Sequence, residues 1–91
     1  MKGRISKWTE FGYGYVVVRQ GTKIATFYLH ISNVIALDES LEEPVVGCEV
    51  KFDATDQFRR TPHDRLSAIN AEVGPSPIDS AVQLLAGKAG A

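Results

Sequence analysis

The chain has 91 residues, 44% hydrophobic and 23% charged, and its 10 basic against 11 acidic side chains leave a formal net charge of −1. Those figures exclude a wholly disordered chain and leave room for one small domain with a single modest core. They also exclude an overall basic field as a source of nucleic-acid affinity, so attraction for a polyanion has to come from how the charges are distributed.

Short runs rich in valine, isoleucine, tyrosine and phenylalanine, punctuated by glycine, asparagine or aspartate, predict strands at about 2–9, 13–19, 25–31, 47–55 and 66–73. The opening "MKGRISKW" lacks the apolar stretch of a secretory signal, and no apolar run reaches bilayer length; a cytoplasmic location without a membrane partner is the expectation. In the first strand Ile5 is the natural inward residue, with Arg4, Ser6 and Trp8 on the opposite face. In "FGYGYVVV", residues 11–18, Tyr13 and Tyr15 share one face while Gly14, Val16 and Val18 share the other. Glycine inside a strand adds no packing and costs backbone entropy, so its presence there asks for a reason.

"RQGTK" at 19–23 reads as a hairpin turn, and in the strand that follows, Phe27, Leu29 and Ile31 face the core while Tyr28 and His30 point away. Residues 32–46 read as a long solvated connection with one short helical turn and much of the acidic charge. The lone Cys48 shares parity with Val50 and Phe52, which makes it a buried small hydrophobe. With only two scattered histidines beside it, the chain offers no metal-ligand spacing, and no cofactor is expected. The loop 56–65, "DQFRRTPHDR", concentrates positive charge. Residues 1–74 thus form one domain, and 75–91 a proline-broken linker followed by a frayed tail or by a short helix over about 77–86 carrying Ile78, Val82 and Leu85.

Five short strands without a long helical period predict an all-β fold, a small five-stranded antiparallel barrel, because closure removes exposed strand edges. If the first three strands form a meander, Trp8, Tyr13, Tyr15, Tyr28 and His30 make one aromatic patch on the outside of the sheet. Such a patch suits single-stranded RNA or DNA, since every base has a face on which an aromatic ring can stack. Cations around the rim supply phosphate contacts: Lys2, Arg4, Lys7, Arg19 and Lys23 from the first hairpin, and Arg59, Arg60, His63 and Arg65 from the late loop. The acidic residues between 38 and 43 belong to a different connection.

"GYGYV" at 12–16 resembles the first ribonucleoprotein motif of the bacterial cold-shock domain, and "FYLHIS" at 27–32 resembles the second. "MKGRISKW", "VGCEVKF" and "LSAINAEV" are similar to the family's first, fourth and fifth strands, so the resemblance covers residues 1–73. It implies an OB-fold barrel of cold-shock type that binds single strands with little sequence selectivity, often as an RNA chaperone or cold-shock-type regulator. Carried over by position, Tyr13, Tyr15 and Tyr28 stand for stacking phenylalanines, and His30 matches the histidine of the second motif. Phe11 occupies the lysine position of the first motif. In the first strand, counting from Gly3 puts Lys7 at the usual tryptophan, whereas matching Lys-Trp directly puts Trp8 there. The expected interface is therefore Lys7, Trp8, Phe11, Tyr13, Tyr15, Tyr28, His30, Arg59, Arg60 and Arg65.

An enzyme needs a constellation of paired carboxylates, a metal cluster, a phosphate loop or an activated nucleophile, and the sequence offers none, so no catalysis is expected. The alternative is a small barrel used for protein–protein assembly, motivated by the acidic connection and the tail, since aromatics also anchor protein interfaces. Strand swapping or the tail helix would make a homodimer; otherwise the chain is a monomer.

Overall fold

The computed structural model describes residues 1–76, which form six strands and one turn of 3-10 helix. The first three strands, β1 (Lys2–Trp8), β2 (Tyr13–Gln20) and β3 (Lys23–His30), make an antiparallel meander. The turn between β1 and β2 is closed by Thr9, whose N–H and Oγ1 both donate to the Tyr13 carbonyl, at 2.8 and 2.9 Å. Gly12 ends that turn at φ +81°, a left-handed angle that strains any residue with a Cβ. The expected hairpin between β2 and β3 forms with Gln20 opposite Lys23.

After β3 the chain makes a 3-10 turn (Ile31–Asn33) and then the short strand β4 (Val34–Leu37), before β5 (Glu49–Thr55) and β6 (Ser67–Val73). The helical turn expected in 32–46 is this 3-10 turn, but β4 is a sixth strand where only a solvated connection was expected. It exists because it lies parallel to the second half of β6, with Val34 opposite Ala71 and Leu37 opposite Val73. A register shift lets Asn70 and Ala71 of β6 face the single Phe52 of β5, and Asn70 takes the unusual φ of +52° there. This bulge falls between the first residues of β6, which meet β3, and the last, which meet β4.

The ring runs β3-β2-β1-β5-β6 and closes where Tyr28 of β3 meets Ser67 of β6. That closure is parallel, so the barrel is mixed rather than antiparallel throughout. Arithmetic requires it: strand direction cannot alternate perfectly around a closed ring with an odd number of members. Five strands leave one parallel seam, and here the seam lies beside the tyrosines.

Inside the ring, Ile5, Val16, Phe27, Leu29, Cys48, Val50, Phe52, Ala68, Ala71 and Val73 are buried. Phe27 and Phe52 meet edge to face with ring centres 5.1 Å apart, a geometry worth about 0.5–1.5 kcal/mol beyond area burial. Cys48 is fully buried, as its parity predicts. Ile31 is not a core residue: it falls in the 3-10 turn, where strand alternation no longer applies, and is exposed. The helix expected over 77–86 lies outside the described residues. Among the described residues, no helix is long and apolar enough to cross a membrane.

Candidate nucleic-acid interface

Alternation along β2 puts Tyr13 and Tyr15 on the outer face of the barrel and buries Gly14 and Val16 on the inner one. Pairing with β3 sets His30 beside Tyr13 and Tyr28 beside Tyr15. The three tyrosines form one cluster. Tyr13 stacks on Tyr28 with ring centres 5.7 Å apart and planes 29° apart, while Tyr15 meets the two edge-on at 6.5 and 6.1 Å. Partial burial first, then the neighbouring phenols of Tyr13 and Tyr15, pushes the Tyr28 hydroxyl above its usual value.

Trp8 does not join this cluster, contrary to simple alternation from Ile5. Ile5 lies opposite Val16, but Lys7 lies opposite Tyr15 and Trp8 opposite Gly14. One extra residue has entered β1 at Ser6, and such a bulge flips every side chain beyond it to the other face. Trp8 therefore turns inward and packs against the core, half-buried, with its Nε1 shielded and unpartnered among the described residues. Gly14 is the reason there is room: a Cβ there would sit 2.7 Å from Trp8 Cε3 and 2.0 Å from the Lys7 carbonyl. Lys7 takes the outward place instead. It extends the row Lys7, Tyr15, Tyr28, Ser67 across β1, β2, β3 and β6.

The loop 56–65 rises beside this row and makes an open cleft of about 420 Å³, lined by Tyr15, Tyr28, Phe58, Arg60, His63, Asp64, Arg65 and Ser67. Arg65 places its guanidinium carbon 5.4 Å from the Tyr15 ring centre, a cation–π contact that leaves several donors available. The loop is held by Asp64, whose Oδ2 accepts the N–H groups of Arg60 at 2.9 Å and Thr61 at 3.2 Å. Those bonds, Arg60's first, hold the Asp64 carboxyl below its usual value. Arg65 thus meets Tyr15 and Arg60 lines the same cleft, whereas Arg59 belongs to the same loop but does not line the cleft. Phe58 and Asp64 went unpredicted. A phenylalanine in the otherwise polar loop "DQFRRTPHDR" was the available signal for Phe58, which is exposed.

His30 has a structural task as well as a place beside Tyr13. Its Nδ1 accepts the Ser32 N–H at 3.1 Å and meets Ser32 Oγ at 2.8 Å, capping the 3-10 turn. An accepting Nδ1 leaves the neutral ring's proton on Nε2, available to a ligand. Phe11, at the tip of the first turn, is 74% exposed. The acidic stretch has its own local order: Asp38 accepts from both the hydroxyl and the N–H of Ser40, which lowers its carboxyl. No three histidine, cysteine or carboxylate side chains among the described residues gather as a metal site.

Comparison with protein-family models, curated proteins and solved structures found no match to this chain. The resemblance to the cold-shock domain stands on the quoted motifs and strands alone.

Proposed function

We propose that the protein binds single-stranded RNA or DNA on the outer face of β1, β2 and β3, with little sequence selectivity, acting as an RNA chaperone or cold-shock-type regulator in the cytoplasm. The observation that carries this reading is the cluster of three outward tyrosine rings bordered by Lys7, Arg60 and Arg65. Bases stack on the rings, each at about 1–3 kcal/mol, and the cations take the phosphates. Within the same proposal the barrel is of OB type, a reading supported by a meander of three strands closed by one parallel seam. Binding of this kind needs no cofactor and no catalytic group.

The test is a titration with a pyrimidine-rich single strand of about six nucleotides and with the same sequence as a duplex, at several salt concentrations. Tighter binding of the single strand, weakening as salt rises, supports the proposal; equal affinity for both forms overturns it. One observation favours the rival reading of an assembly module: among the described residues β4 pairs only with β6, and it carries Ile35, 64% exposed. An unpaired edge with an apolar side chain invites strand addition. Concentration-dependent self-association without oligonucleotide binding would favour that reading.

A further inference from the structure

We infer that the single-strand track continues past the tyrosines into a second, phosphate-binding cleft at the far end of the same sheet face. The inference rests on the single-strand reading of the tyrosine face and extends it. Alternation along β2 keeps Tyr13, Tyr15, Val17 and Arg19 on one face, and pairing brings Arg4 beside Val17 and Ile24 beside Arg19. At that end Lys2, Arg4 and Arg19 line an open cleft of about 480 Å³, floored in part by Val17 and Ile24.

The charge balance suits a polyanion. The cleft's one carboxylate, Glu49, lies 3.6 Å from Lys2 Nζ and offsets only one of three cations. Arg4 Nη1 donates to the Gly47 carbonyl at 3.0 Å, which steadies the guanidinium against the wall while its other donors remain. Among the described residues Arg19 has no carboxylate partner. Ile24, 63% exposed, offers an apolar surface for a sugar or base edge.

Tyr15 and Arg19 are four strand steps apart, about 13 Å, so a strand stacked on the tyrosines reaches the cleft only if it continues for several nucleotides. Net affinity then depends on length. A short oligonucleotide fills the tyrosine face alone, and a longer one adds two or three phosphate contacts.

The experiment compares oligothymidylates of about four and about eight nucleotides against the wild type, Arg19→Glu and Arg19→Gln, across a salt series. The longer strand should bind wild type about tenfold more tightly at low salt, with a log–log salt slope steeper by about 1.4 to 2.1. Arg19→Glu should remove most of that increment while leaving the short strand within about twofold, and Arg19→Gln should remove part of it and reduce the slope by about 0.7. Thermal melts of both variants establish that the barrel is intact. Equal binding of both lengths by wild type, or an equal loss of both in the Arg19 variants, overturns the second cleft and leaves the tyrosine reading standing. Failure of wild type to bind either length overturns both.

Discussion

The two faces of β2 are written by alternate residues of one strand, yet they follow different rules. The inner face, with Gly14 and Val16, is tightly occupied: Val16 is fully buried, and a Cβ at Gly14 would collide with the Lys7 carbonyl and the Trp8 ring. The outer face carries two of the molecule's three tyrosines, half-exposed and in contact with the third. Inner residues are chosen by what they must fit against. Outer residues are less constrained by packing against the core, which leaves the three rings gathered there open to the single-strand role proposed above.

Substitutions on the two faces should separate stability from binding. The largest effect belongs to the interior, where Phe52→Ala removes a ring packed on Phe27 and should cost about 3–5 kcal/mol, enough to unfold a marginal small domain. Chemical denaturation checks it. Gly14→Ala should follow at roughly 1–3 kcal/mol or more, because its Cβ would press on the Lys7 backbone as well as on Trp8. A melt unchanged in that variant would mean that β1 does not lie so close to β2.

On the outer face the sign of the contrast reverses. Tyr28→Ala should weaken single-strand binding by about 1–3 kcal/mol while changing unfolding by less than about 1 kcal/mol. If it unfolds the protein at room temperature, the cluster is a core element and the distinction between the faces collapses. Trp8→Phe is the sharper control: although aromatic and next to Lys7, Trp8 faces inward, so affinity should stay within about twofold. Its stability should move by less than about 1 kcal/mol, because relief of the unpartnered Nε1 offsets the smaller ring.

The smallest effect is local and depends on pH. The folded Asp64 carboxyl is lowered, so its contribution to loop order is complete above the ordinary carboxylate range and is lost as the pH falls through the folded value. The amide shifts of Arg60 and Thr61 should titrate with a midpoint below about 3.9, the ordinary aspartate value. A midpoint above it would mean that these hydrogen bonds do not form.

The strands at 2–9, 13–19, 25–31, 47–55 and 66–73 were legible because they are short runs rich in valine, isoleucine, tyrosine and phenylalanine, punctuated by glycine, asparagine or aspartate. So was the outward placement of Tyr13, Tyr15 and Tyr28, which needs only regular parity over a few residues. Trp8 was misplaced because a bulge is a property of pairing: nothing within "ISKW" marks Ser6 as the extra residue. The relevant signal lay across the hairpin, in Gly14, a strand glycine whose missing side chain makes room for a ring on the neighbouring strand. Val34–Leu37 was hidden for a similar reason, since its short run of apolar residues becomes a strand only through parallel pairing with the distant β6.

The central claim, that the outer tyrosine face receives a single strand, is tested most directly by following backbone amide resonances as a single-stranded oligonucleotide is added. The largest shifts should fall on Tyr13, Tyr15, Tyr28, His30 and Arg65, with Val34–Leu37 and residues 38–43 unmoved. Shifts concentrated instead on β4 and the acidic connection, with the tyrosine amides silent, would contradict it.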